Sequence, residues 1–369
     1  MKPTLLIIID NLKRGGAEIL LTGILPDLNK SFFVVLVTLS EESDFKEQEI
    51  VYSKKYSLGF KGKHSLVSCI IKLKKIIKQH NPSLIHSHLF FSSLIARVSC
   101  PKNIPLIYSL HNEMSKNVFN GSKIFTFLEK ITIRPNHYVM AVSKTVLEDY
   151  QTSIGEQKRK FVLPNYVSNE FFSEPKIEKK TAHKKELKLV AVGNIKRQKN
   201  YQFLIKAFQS LKNYPVTLDI YGQGMEKELI SLQNEIKKSN LPIFFKGGVQ
   251  NIYEFLPSYD LYVSSSTHEG FGISVAEAMA VGLPLILSDL QVFHEISYDN
   301  ALFFDLNNPD SFAQLVIQIL NNKHELNHLS KAGIEISKKY TREEYLDKLF
   351  EIYSSVSKPS IKHFSKNHA

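Results

Sequence analysis

Cysteine is almost missing from this chain of 369 residues, Cys69 and Cys100 being the only two. Neither a disulfide framework nor a cysteine-rich metal site can be built from them, and both read as packed thiols. Long apolar runs are missing too. No tract approaches the roughly 18–20 residues of a membrane span, and Leu5–Ile9 is too short for the core of a signal peptide, so the expected location is the cytoplasm. There is no internal repeat and no low-complexity tract. Acidic residues are missing locally: between Ile50 and Asn112 there are ten Lys or Arg and no Asp or Glu, in a chain of net charge +11. Such a stretch fits an anionic surface, the alternative being a solvated lysine-rich face.

The length suits two domains of about 150–200 residues, each with its own core. A hydrophobic content of 43% and an aromatic content of 11% belong to a globular enzyme. Buried-strand signals at Leu5–Asp10, Phe33–Leu39, Leu84–His88, Leu106–Leu110 and Tyr138–Val142 alternate with helical ones. These include Ala17–Leu28, broken late by Pro26, and His64–His80. The scheme repeats with strands at Leu187–Val192, Val216–Tyr221, Ile243–Lys246, Leu261–Ser264 and Leu285–Leu287. Helices are expected near Tyr201–Leu211, Met225–Lys237, Ile273–Val281 and Ser311–Leu320, and further ones after His324 through Tyr345–Tyr353. Continuous apolar strands joined by helices predict an α/β protein of two doubly wound parallel sheets facing across a cleft. The expected bounds are 1–170, a polar linker at 171–186, 187–340, and a basic tail at 358–369.

Glu269 and Glu277 stand out. Leu261–Ser264 reads as a strand, Gly270 and Gly272 as a tight turn, and Ile273–Val281 as a helix stopped by Gly282 and Pro284. The opening of that helix offers amides to an anion. Glu277 is surrounded by Val275, Ala276, Ala278, Met279 and Val281, where a lone carboxylate is costly and needs a partner. At about 1.5 Å per residue the two carboxylates lie roughly 8–12 Å apart, a span that a nucleotide sugar fits. Its diphosphate would rest on the helix start, with hexose hydroxyls at Glu269 and ribose hydroxyls at Glu277.

This segment is an E-x(7)-E motif, and the chain resembles the retaining glycosyltransferases of family 4, which have the GT-B fold, in the type that builds bacterial surface glycans. Also similar are Gly15-Gly16-Ala17-Glu18, Pro164-Asn165-Tyr166-Val167, Val192-Gly193 with Lys199-Asn200, and the run from Glu277 to Pro284. The resemblance implies a metal-independent hexosyltransferase with no cofactor, moving a sugar from a nucleotide-sugar donor to a glycan or polyprenyl-linked acceptor in polysaccharide synthesis. The first domain would bind the acceptor and the second the donor. A C-terminal helix at about 341–357 would return to the first domain.

By the same resemblance Glu269, His111 and Lys199 are the catalytic set. Gly16, Arg197, Lys199, Gly270, Phe271, Gly272 and Glu277 form the donor-binding set. His111 matches a family histidine that reaches the transferred sugar. Asn194 departs from the pattern, since many members carry there an arginine that neutralises the donor diphosphate, and Arg197 is the candidate replacement. Glu295 matches a recurrent glutamate whose role stays open. His86 and His88 share one strand face, and no third metal ligand is signalled. Gly222-Gln-Gly224 begins like a dinucleotide fingerprint, but Lys227 breaks it. The helix His64–Gln79 places Leu66, Ile70, Leu73 and Ile77 on one face flanked by Lys72, Lys74, Lys75 and Lys78. It reads either as a peripheral contact with anionic lipid at the inner face of the plasma membrane or as an ordinary surface helix. Two other readings remain, a nucleotide-sugar epimerase of the same fold and a basic nucleic-acid-binding protein; the second lacks a groove-reading element.

Overall fold

The computed structural model describes residues 2–173, 186–321 and 326–357. Most of the expected linker, the start of the helices after His324 and the whole tail therefore lie outside the described residues. The chain divides into two compact units, Met1–Asn165 with Glu343–Ala369, and Tyr166–Arg342.

The first unit contains β1 (Thr4–Ile9), α1 (Gly16–Ser31), β2 (Phe33–Thr38), β3 (Lys54–Ser57), α2 (Leu66–His80), β4 (Leu84–His88) and α3 (Phe90–Ser99). It continues with β5 (Leu106–Leu110), α4 (Lys123–Thr132), β6 (His137–Ala141), α5 (Lys144–Ile154) and β7 (Lys160–Val162). The seven strands are parallel in the order β3-β2-β1-β4-β5-β6-β7. Leu5 to Ile9 are all fully buried, as a strand covered on both faces requires.

Helix α1 does not stop at Pro26 but runs through it to Ser31. Proline removes one helical hydrogen bond, yet Leu25 and Leu28 are fully buried, and that packing holds the last turn in place. Cys69 and Cys100 are free and buried. In α2 the face bearing Leu73 and Ile77 packs into the core, with Leu66 and Ile70 against it. Of the two readings of this stripe, the ordinary helix packed on the sheet is the one observed, because an apolar helix face beside an unfilled core gains more by burial there.

The second unit contains β8 (Leu187–Val192), α6 (Tyr201–Leu211), β9 (Val216–Tyr221), α7 (Glu226–Ser239), β10 (Ile243–Gly247), α8 (Ile252–Phe255) and β11 (Leu261–Ser264). It ends with α9 (Ile273–Ala280), β12 (Leu285–Ser288), α10 (Gln291–Ser297), β13 (Leu302–Phe304), α11 (Pro309–Asn321) and α12 (Leu326–Ser337). Its six strands are parallel in the order β10-β9-β8-β11-β12-β13. Phe203, Phe208, Phe304 and Phe312 form the aromatic part of its core. The last helix, α13 (Arg342–Val356), belongs to the first unit, where Phe350 stacks on Phe32 at 6.1 Å and Tyr353 meets the same ring edge-on at 6.0 Å.

Candidate active site

In the second sheet the strand order reverses between β8 and β11, and loops leaving their carboxyl ends part there to form a crevice, the usual ligand position in open α/β sheets. The loop after β8 holds a 3-10 turn at Arg197–Lys199 and the left-handed Asn200 (φ 50°). It is tied to the loop after β11. Gln198 Nε2 donates to the His268 carbonyl at 2.8 Å, the Thr267 amide to the Gln198 carbonyl at 2.8 Å, and Ser265 Oγ to the Lys199 carbonyl at 2.8 Å. These bonds bring Lys199 to Glu269, Nζ to Oε1 at 2.7 Å, and Ser266 Oγ donates to the same oxygen at 2.7 Å.

Glycine makes this loop possible. The Lys199 side chain crosses Gly193 so closely that a Cβ there would come within 2.6 Å of Lys199 Cε. A Cβ on Gly222 would overlap the Gly193 carbonyl oxygen, and one on Gly224 the Ile195 side chain. Gly222 and Gly224 therefore serve close loop packing, sealed by a bond from the Ile195 amide to the Gln223 carbonyl at 2.7 Å. Asn194 accepts weakly from the Gln223 amide at 3.4 Å. Arg197 is exposed, and among the described residues its side chain makes no hydrogen bond or ion pair.

The turn into α9 uses Gly272 at φ 88°, where any Cβ would also press on the Phe293 ring. Phe271 is buried with its ring against Tyr340 at 5.2 Å. Its ring is thus core, which leaves only its backbone for the donor-binding role expected of it. Glu277 follows one turn into α9. Its carboxylate has no hydrogen-bond partner among the described residues. Desolvation raises its pKa to about 7, and attraction to Lys199 offsets this only in part. Lys199, Glu269 and Glu277 therefore form one electrostatic group, although the first two are 70 residues apart in sequence. Glu295 lies in α10, partly buried and coupled electrically to Tyr340.

In the first unit the loop after β1 carries Asp10, which accepts hydrogen bonds from the Ser92 amide (2.8 Å) and hydroxyl at the start of α3. Gly16 is exposed as the first residue of α1, and a Cβ on Gly15 would overlap the Glu18 carboxylate. His111 follows β5. Its Nε2 meets His88 Nδ1 at 3.1 Å, and the His88 ring lies 4.2 Å from that of His86. His86 in turn bonds Ser109 Oγ at 2.7 Å and Tyr353 Oη of α13 at 2.6 Å. Burial lowers all three imidazole pKa values, His86 to about 3 and His111 to about 4, so the rings are neutral at neutral pH. Among the described residues no group of three or more His, Cys, Asp or Glu side chains is placed to hold a metal ion.

Sequence reading did not find the pair beneath His111. Arg97 and Glu129, each about 1% exposed, form an ion pair, with Tyr150 donating to Glu129 at 2.6 Å and the Arg97 guanidinium over the Tyr108 ring at 5.0 Å. Arg97, Tyr108 and Glu129 line a cavity of about 130 Å³ together with His111, Asn112 and Met114. The one available signal was Arg97 itself, the only charge in the helix Phe90–Ser99. Its burial also removes one of the ten cations from the basic surface.

Two family models match the chain, Glycosyltransferase Family 4 over residues 14–171 and Glycosyl transferases group 1 over residues 173–336. The chain belongs to glycosyltransferase family 4. This family 4 glycosyltransferase is 24% identical over 351 residues to an uncharacterized glycosyltransferase of Methanocaldococcus jannaschii, covering 93% of this chain and 95% of the relative. It is 25% identical over 335 residues to the O-antigen biosynthesis glycosyltransferase WbnH of Escherichia coli, covering 90% and 93%. Among solved structures it resembles Anabaena HepE in complex with UDP and glucose, with a TM-score of 0.80, 17% identity, and 96% and 100% of the two chains covered. It also resembles WaaG, a glycosyltransferase involved in lipopolysaccharide biosynthesis, with a TM-score of 0.73, 13% identity, and 95% and 99% covered. The fold is GT-B, and the activity class is glycosyl transfer.

Proposed function

We propose that the protein is a retaining, metal-independent hexosyltransferase that takes its sugar from a nucleotide-sugar donor bound by the second unit. The observation that carries this reading is the group of Lys199, Glu269 and unpartnered Glu277 at the reversal point of the second sheet. Lys199 would meet the negative charge that develops on the departing diphosphate, a fixed cation in a partly dehydrated site being worth several kcal/mol there. Glu269, held by Lys199 and Ser266, would position the transferred sugar. Glu277 would accept from the ribose hydroxyls, which supplies the partner it lacks. Gly16, Gly270 and Gly272 would let backbone approach the donor, with Phe271 contributing backbone alone.

The acceptor we propose is a glycan or polyprenyl-linked intermediate taken by the first unit, where His111 borders the cavity. HepE has been crystallised with UDP-glucose, and the relatives' names describe transferases, which favours transfer over epimerisation. We further propose peripheral contact with anionic membrane at the cytoplasmic face. Helix α4 exposes Ile124, Phe127 and Ile131, at 66%, 61% and 58%, along one face between exposed Lys123 and Lys130. Helix α3 packs against both α4 and α2, and Lys63, just before α2, lies over Phe125 at 5.5 Å. Apolar side chains flanked by lysines suit a headgroup boundary.

Nucleotide sugars screened by thermal shift test the donor, since a ligand at about 100 times its dissociation constant adds about 2.7 kcal/mol. Product analysis with that donor and a polyprenyl-diphosphate sugar then tests transfer and the configuration of the new bond. Stabilisation by no nucleotide sugar at all would overturn the proposal.

A further inference from the structure

The three stacked histidines of the first unit have a proton arrangement that their surroundings decide. His86, His88 and His111 are neutral, so each ring carries a single N–H. His86 has a hydroxyl at both nitrogens, Tyr353 at Nδ1 and Ser109 at Nε2. His88 and His111 each have one nitrogen in their mutual bond and one that is buried with no partner, Nε2 of His88 and Nδ1 of His111.

Two arrangements satisfy the mutual bond. In one, His111 Nε2–H donates to His88 Nδ1. The proton of His88 then sits on Nε2, a buried donor in a residue that is 1% exposed, where no ligand can reach it. In the other, His88 Nδ1–H donates to His111 Nε2. A lone pair is then orphaned on His88, and the proton of His111 sits on Nδ1, itself buried without a partner but in a residue that lines the cavity. Each arrangement thus strands one buried donor, a costly defect, and only the donor on His111 borders a cavity where a ligand oxygen can accept from it.

We propose that His88 is a positioning residue that locks His111 as its Nδ1–H tautomer, so that His111 offers a neutral hydrogen-bond donor to a sugar oxygen. Tyr353 and Ser109 hold the chain from the far side through His86, and α13 thereby reaches the reacting region without touching substrate. The inference rests on the proposed sugar transfer for the role of His111, but the tautomer itself does not depend on it.

The test is the full chain labelled with ¹⁵N-histidine, in which two-bond proton–nitrogen correlations report the tautomer of each ring, with His111→Gln used to assign its signals. The expected result is His111 protonated at Nδ1 and His88 at Nδ1. His111 protonated at Nε2 overturns the proposal whether or not any transfer activity is found. A second measurement compares His88→Leu with His88→Asn, whose amide can still donate from nearly the Nδ1 position. With folding checked by circular dichroism, His88→Leu should lower kcat about 10- to 100-fold with little change in donor KM, and His88→Asn should recover most of it. Equal kcat in wild type and His88→Leu also overturns it. Absence of transfer in every form, with the expected tautomers present, counts against the proposed function instead.

Discussion

A carboxyl group among Val275, Ala276, Ala278 and Met279 ionises only against the cost of losing water, and this governs Glu277. Its ordinary value of 4.5 rises to about 7 in the folded chain. As pH climbs through this window the unfolded chain releases a proton that the folded chain keeps, so stability falls between about 4.5 and 7 and levels off above. Glu277→Gln abolishes that loss. The variant should therefore be more stable than wild type at pH 8, by at most about 3 kcal/mol given residual solvent contact, and the gap should shrink towards pH 5. Urea melts at both pH values check this; a gap independent of pH would mean an ordinary carboxyl. The odd placement of Glu277 was legible in sequence from its apolar neighbours. The bond from Lys199 to Glu269 was not, because no local pattern encodes a contact between loops leaving different strands.

Elements with strong burial on both faces were readable and half-exposed ones were not. The runs at Leu84–His88, Leu106–Leu110, Leu187–Val192, Val216–Tyr221 and Leu261–Ser264 form strands with those bounds. By contrast β3, Lys-Lys-Tyr-Ser on a sheet edge, carries too few apolar residues to announce itself, and β7 and β13, at three residues each, are too short to show a period. Amphipathic α2 was visible, but its partner was not. Periodicity says that a face is apolar and is silent on whether core or lipid covers it. At the same scale the 3-10 turn after β8 presents Lys199 inward and Arg197 outward. If both meet the donor diphosphate, Arg197→Ala and Lys199→Ala should each depress turnover, and the double variant should lose less than the sum, since the two share one anion. Lys199→Ala should also lower the melting temperature by stranding Glu269. Steady-state kinetics of the three variants decide the matter, and turnover within twofold of wild type for Arg197→Ala would leave that arginine a solvated charge.

For the whole molecule, net charge alone does not make a membrane protein, and among the described residues no helix is long and apolar enough to cross a membrane. Binding at an anionic surface has to combine the α4 face with neighbouring lysines, each worth on the order of 1 kcal/mol near the headgroups and screened within about 8–10 Å. Ile124→Ser with Phe127→Ser and Ile131→Ser should release the chain from vesicles of anionic lipid while nucleotide-sugar binding is unchanged. Co-sedimentation at low and high salt measures this, and a wild type that ignores anionic vesicles at low salt would favour a soluble acceptor. The sequence by itself determined two parallel α/β sheets, because apolar periodicity and turn-forming glycines act over a few residues, and the resemblance of its motifs implied a family 4 glycosyltransferase. Only the tertiary structure decided that Lys199 closes on Glu269, that Arg97 and Glu129 neutralise each other inside the first unit, and that His86 and His88 link Tyr353 to His111. Each of these depends on strand order, which places distant segments side by side and strips them of water, and a linear pattern carries neither.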